Sequence, residues 1–251
     1  ISFTDINGLA QTLMHLGEAA GTYQVIAEIG SGSYTFTLTA NAAGLDHIII
    51  TPGNPDVVDG TTQGFSAAGF DIYGNPVVIN PTWNAWGGVG TVVPGPSITT
   101  TFTATDLGIG LINATVGGIK GTATITVIEG AANNLAYVEG NNQVQTVNTT
   151  LVSNFVVKVM DLEGNPIQGV QIVWTVTQKP VGSTMEFLSS ISSLTDIDGN
   201  SSISFHLGNI VGIYIVQAFG NGLAGSPVSF FANATADVLY AINVIPGTAT
   251  L

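Results

Sequence analysis

The sequence predicts an all-β protein built from tandem two-layer β-sandwiches, and three observations carry that expectation. Apolar residues recur at every second position in many short segments, turn residues separate those segments about every eight to twelve positions, and one stretch of the chain repeats another almost without a gap.

The alternation runs through YQVIAEI at 23–29, YTFTLTA at 34–40, TATITVI at 122–128, VSNFVVKVM at 152–160, VQIVWTV at 170–176, SISFHL at 202–207 and YIVQAF at 214–219. A period of two is that of a strand with one face buried. These segments are rich in Val, Ile, Thr and aromatics, which pack well on a pleated surface. With 32 glycines and 10 prolines, a long helix is hard to place. The one helical pattern, LAQTLMHLGEAA at 9–20, loses its claim to the repeat.

TDINGLAQTLMHLGEAAGTYQVIA at 4–27 matches TDIDGNSSISFHLGNIVGIYIVQA at 195–218 at an offset of 195 − 4 = 191. Residues 9–16 then correspond to NSSISFHL and are expected to be a strand. GLDHIIITPG at 44–53 matches VLYAINVIPG at 238–247 at an offset of 238 − 44 = 194, which implies a three-residue insertion in FGNGLAGSP at 219–227 relative to IGSGS at 29–33. The expected organisation is therefore a cassette of two domains cut out of phase. Residues 1–43 are the C-terminal half of one domain, 44–130 and 131–237 are complete domains, and 238–251 is the first strand of a following one. Half a sandwich cannot bury its apolar face, and an open strand edge invites pairing. Either upstream sequence or a neighbouring copy is expected to complete residues 1–43.

The chain has 251 residues, a net charge of −13 and only 8% charged residues, its three basic side chains being Lys120, Lys158 and Lys179. That balance is repelled by nucleic acid and anionic lipid, which are bound through clusters of lysine and arginine. Mean hydropathy is +0.45, yet Gly, Thr, Asn and Ser interrupt every apolar run short of a bilayer span, so membrane insertion is not expected. The absence of cysteine removes disulfides and thiolate metal sites. Scarce lysine and arginine remove trypsin sites, and Lys179 precedes Pro180; both suit an extracellular location.

Residues 131–237 carry VVKVMDLEGNPIQGVQIVWTV, TDIDGNSSISFHLG, GIYIVQA and GSPVSFFANA in order. This set resembles the bacterial immunoglobulin-like (Ig-like) repeats of the invasin and intimin type, group 1, over the whole domain, and residues 1–43 resemble its second half. Residues 44–130 resemble the group 2 bacterial Ig-like domain through FSAAGFDIYGNPV, PTW, TTTFTATDLG and GGIKGTATITV. The resemblance implies tandem Greek-key sandwiches forming rigid stalks of surface adhesins or extracellular filaments. In such adhesins a host or glycan ligand is usually bound at a distal tip domain, and no tip-like sequence occurs here.

DIYGNPV at 71–77 and DLEGNPI at 161–167 offer Asp71 and Asp161 as calcium ligands. One carboxylate each is too few, and they read as hairpin turns in which Asp accepts backbone N–H groups, Gly74 and Gly164 supply positive φ, and Pro76 and Pro166 open the next segment. Trp83 and Trp174 follow at sandwich spacing as core residues. Trp86 is a candidate for stacking against a sugar. In TDIDGN, Asp196 and Asp198 stand two apart before a glycine and are the calcium candidates to test. The twelfth position from Asp196 is Leu207 where an EF-hand needs a bidentate Glu, so a turn is the simpler reading.

His15, His47 and His206 are too few for a catalytic or zinc cluster, and no triad, GxSxG elbow, phosphate loop or carboxylate dyad stands out. The four N-x-S/T sequons, at Asn113, Asn148, Asn200 and Asn233, are about the number chance provides here. Strand alternation places Val157 and Val159 in the core and Lys158 outside, unsuited to a buried isopeptide. The expected role is a non-catalytic structural repeat without cofactor, self-associating or packing on neighbouring repeats, with a glycan- or protein-binding module as the alternative.

Overall fold

The computed structural model describes residues 3–238. Among them every regular element is a strand. The stub expected at 238–251 lies outside the described residues apart from Val238. Two compact units divide between Ile128 and Glu129.

The first unit opens with a hairpin of β1 (Gly21–Ile29) and β2 (Gly32–Ala40), paired in continuous register from Gly21↔Ala40 to Ile29↔Gly32. A sandwich follows, of β3 (His47–Thr51), β4 (Asp56–Val58), β5 (Thr62–Phe70), β6 (Pro76–Val77), β7 (Thr82–Trp86), β8 (Gly90–Val92), β9 (Thr99–Ala104), β10 (Gly108–Val116) and β11 (Ile119–Ile128). One sheet has the order β3-β5-β9-β8, with β6 on β5, and the other β4-β11-β10-β7. The opening strand divides between them, since β3 runs antiparallel to β5 while β4 crosses over to run parallel to β11. Period-two burial is strict in β9, where Thr99, Thr101 and Thr103 face outward and Thr100, Phe102 and Ala104 inward. The core between the sheets is Ile50, Phe65, Trp83, Phe102, Ile112 and Ile125 with their neighbours.

The second unit contains β12 (Asn134–Glu139), β13 (Gln143–Thr146), β14 (Phe155–Met160), β15 (Gln171–Gln178), β16 (Phe187–Leu188), β17 (Ser192–Leu194), β18 (Asn200–Ile203), β19 (Phe205–His206), β20 (Gly212–Gly220) and β21 (Val228–Thr235). Its sheets are β12-β14-β18 and β13-β21-β20-β15-β17, with a short β16-β19 pair beside them. The opening strand divides here too, β12 joining β14 antiparallel and β13 joining β21 parallel. Phe230 is the centre of the core, with Phe155 stacked at 4.7 Å and Trp174 tilted at 5.7 Å between ring centroids. Both sandwiches have the immunoglobulin-like arrangement, in which a buried tryptophan sits on the third main strand.

Tyr214 adds a second mark of that fold. Its hydroxyl donates to the carbonyl of Ile210, four residues upstream, at 2.8 Å, a tyrosine corner. Tyr23 does the same to Ala19 at 2.6 Å, and both residues lie 191 positions before their counterparts. The pairing agrees as well: Gly212↔Ala234 in one hairpin corresponds to Gly21↔Ala40 in the other, at offsets of 212 − 21 = 191 and 234 − 40 = 194. The three-residue difference falls at the tip, where β1 and β2 meet in a tight turn and β20 and β21 are joined by a longer loop.

One sequence expectation is corrected. Residues 9–16 form no strand and are exposed throughout. Their counterparts in β18 and β19 are held by β14 and β16, whereas among the described residues no strand is paired with 9–16. A strand's backbone groups are satisfied only by a neighbour, so the pattern alone does not make one.

Candidate functional site

The same turn occurs at Asp5, Asp71, Asp161 and Asp196. In each, one carboxylate oxygen accepts the N–H groups two and four residues on: Asn7 and Leu9, Tyr73 and Asn75, Glu163 and Asn165, Asp198 and Asn200, all within 2.8–3.0 Å. The aspartate N–H also donates back to the carbonyl of the fourth residue. The glycine between them takes φ of 79° at Gly8, 84° at Gly74, 94° at Gly164 and 75° at Gly199, the left-handed region that favours glycine. D-x-x-G is thus one local solution used four times. Asp196 and Asp198 belong to it: the first satisfies its own loop and the second is exposed.

Asp71 and Asp161 differ from the other two by being buried, at 0% and 4% exposure. Each uses its second oxygen on the chain entering its sandwich. Asp71 Oδ2 accepts the N–H of Ala43, and Asp161 Oδ2 that of Gly130, both at 2.8 Å. Asn75 and Asn165 donate to the same oxygens at 2.9 and 3.0 Å. Burial by itself would raise the Asp71 pKa, but the Asn75 amide and the N–H groups of Ala43, Asn75 and Tyr73 together outweigh it and lower the pKa to about 2. Asp161 is lowered in the same way, against burial, by Gly130, Asn165 and Glu163.

Asn75 extends the contact to the segment before β1. Its amide donates to the carbonyl of Glu18 and accepts the N–H of Ala20, both at 2.7 Å. These residues flank Ala19, the acceptor of the Tyr23 corner. The DIYGN turn therefore joins the segment after β2, the tyrosine-corner loop before β1 and the sandwich at 47–128. Sequence reasoning missed Asn75, Asn165 and the tyrosines in this role; the asparagine after each glycine and the shared L-G-x-x-x-G-x-Y spacing were the available signals.

Trp83 and Trp174 lie in the two cores at 5% and 1% exposure, their indole N–H groups donating to the carbonyl of Ser97 at 2.7 Å and to Ser193 Oγ at 3.0 Å. Pro76 and Pro166 begin the returning segments, where Pro76 pairs with Phe70 and Pro166 with Met160. Trp86 is 60% exposed on the outer face of β7, beside a shallow depression lined by Asn84, Leu111, Asn113, Thr115 and Lys120. Asn113, a sequon residue, is buried and its Oδ1 accepts the Thr122 hydroxyl at 2.9 Å.

The histidines stay apart in local settings: His47 beside Asp46 at 3.0 Å, His206 stacked on Phe187 at 4.7 Å, and His15 exposed. Lys158 is half-buried between the fully buried Val157 and Val159. Lys179 pairs with Glu186, whose carboxyl is lowered, against burial, by Lys179 and Ser183. Among the described residues no three His, Cys, Asp or Glu side chains are grouped to hold a metal ion. What this arrangement does chemically is hold chain segments together.

No family model matches the chain. Ice-binding protein 1 of Shewanella frigidimarina is 30% identical over 139 residues, which is 53% of this chain and 15% of that protein. The chain thus spans a small part of that relative's length. Among solved structures, the Escherichia coli adhesin FdeC matches with a TM-score of 0.54 at 18% identity, over 85% of this chain and 74% of that one. The D00-D0 domain of intimin matches at 12% identity and a TM-score of 0.38, over 75% of this chain and 99% of that one. The likeness to FdeC is one of fold: an immunoglobulin-like β-sandwich.

Proposed function

We propose that the chain is a non-catalytic structural repeat of an extracellular stalk or filament at the cell surface, supporting adhesion or surface display. The observation that carries this reading is the DIYGN turn, through which the sandwich at 47–128 grips both the segment after β2 and the tyrosine-corner loop of the repeat before it. A tandem array resists bending only if successive domains are tied by more than a linker, and buried, charge-assisted hydrogen bonds provide such ties. The fold shared with an adhesin agrees with it.

On this reading residues 1–43 are the second half of a domain, 44–130 and 131–237 are successive domains, and 238–251 begins another. Partners are neighbouring repeats of the same protein or self-association, and no cofactor is required. Joining of chains by strand complementation is part of the proposal, supported by the open face of β1 and β2. Electron microscopy of the native protein should show rods or fibres with a two-domain repeat. Well-separated globular monomers of the full-length protein would refute it.

A second reading is favoured by one observation, the exposed Trp86 ring among amide and hydroxyl groups. Such a surface suits stacking against a sugar ring. Saturable binding on a glycan array, abolished by Trp86→Ala, would support this module; binding unchanged by that substitution would not.

A further inference from the structure

The hairpin β1–β2 repeats β20–β21 in register but not in environment. Phe230 is 0% exposed and its counterpart Phe36 is 51% exposed. Leu207 and Phe205 are 0% exposed, whereas Leu16 and Met14, 191 positions earlier, are 38% and 39% exposed. In the second unit that face is covered by the front half of the domain, through Leu135, Phe155 and Trp174, each buried to 2% or less. The edges differ in the same way. β20 lies between β21 and β15, while among the described residues β1 pairs with β2 alone.

We propose that the free edge and apolar face of β1–β2 are an acceptor for a polypeptide of the front-half sequence class seen at residues 131–194. The donor's QIVWTVTQ strand pairs antiparallel with β1 in the register of β15 on β20. The side chains retained on the acceptor fit that donor. Trp174 stands opposite Ala218 in the second unit, and the counterpart of Ala218 is again small, Ala27. Tyr23 and Val25 keep the identities of Tyr214 and Val216 on the inward face. On β1 the departure is Ile29 for Gly220, and on β2 Leu38 and Tyr34 stand where the second unit has Ala232 and Val228. A side chain at 220 is barred chiefly by Leu223, 2.5 Å from where its Cβ would stand, and the shorter turn after β1 has no equivalent of that residue.

The register makes the proposal testable. Thr175 pairs with Gln217 and Val173 with Phe219; subtracting 191 puts a donor Thr175 opposite Ile26 and a donor Val173 opposite Glu28. The chain has no cysteine, so single thiols can be placed at will. The full chain carrying Ile26→Cys or Glu28→Cys would be mixed with peptides of residues 170–179 carrying Thr175→Cys or Val173→Cys, under mild oxidation. The matched pairs, 26 with 175 and 28 with 173, should cross-link at least about tenfold faster than the crossed pairs, because a strand on a half-buried face has one favoured register. Equal rates in all four mixtures, no cross-link, or dimers of the chain through position 26 in place of peptide capture would overturn it. The proposal rests on the tandem-repeat reading, but the two fail separately, since rods without register-selective capture would refute only the acceptor.

Discussion

The carboxylate of Asp71 holds the backbone N–H of Ala43 at 2.8 Å, and in the other sandwich Asp161 holds that of Gly130 at the same distance. The separations are 71 − 43 = 28 and 161 − 130 = 31 residues, so two domains of different sequence close on the incoming chain with the same group. Four consequences can be measured.

The first concerns acid. A free aspartate titrates near ~3.9, and Asp71 is lowered to about 2, its hydrogen bonds outweighing burial. A depressed carboxylate contributes stability that is complete above the unfolded pKa and is lost as pH falls through the folded one. Asp71→Asn should therefore melt below the wild type at neutral pH, with the gap closing between about pH 4 and pH 2. Thermal melts across that range check it; a gap that persists unchanged at pH 2 would refute the assignment.

The second concerns the tie between Asn75 and the segment before β1. Asn75→Ala removes the bonds to Glu18 and Ala20, each worth about 1 kcal/mol. Hydrogen exchange at residues 18–28 should accelerate roughly five- to thirtyfold for a loss of about 1–2 kcal/mol. Exchange in 131–237 should not change. Uniform acceleration in both units would mean that the turn is not a local tie.

The third separates the tryptophans. Trp174→Ala empties a site at the centre of the second core and should cost about 3–5 kcal/mol in urea unfolding. Trp86→Ala, on an exposed ring, should change stability by about 0.5 kcal/mol or less. Equal costs would contradict the inward and outward placements.

The fourth concerns calcium. Asp196 already accepts two N–H groups of its own loop. Adding EDTA should leave the melting temperature within a few degrees, and a fall of more than about ten degrees, about 1–3 kcal/mol for domains of this size, would establish a structural calcium site. Asp196→Asn should then abolish that difference.

Much of the fold is legible in local sequence. Period-two alternation located β11, β14, β15 and β20, because one face of each meets a core, and also β1 and β2, which keep the pattern although their apolar face is open. The D-x-x-G turns are equally local, since aspartate, glycine and the next backbone groups close the loop among themselves. Residues 9–16 carry a strand pattern without being a strand, for the opposite reason. Their pattern matches β18 and β19, but a strand exists only where another backbone meets it.

By itself the sequence determined the strand class, the 191-residue repeat and the two buried tryptophans, because each depends on side-chain type at short or fixed spacing. Only the tertiary structure decided which aspartates are ties and which are plain turns. Asp5 and Asp71 are alike in their own loops, yet only Asp71 meets a distant N–H, that of Ala43. The second carboxylate oxygen takes its meaning from a chain segment dozens of residues away, and folding alone brings the two together.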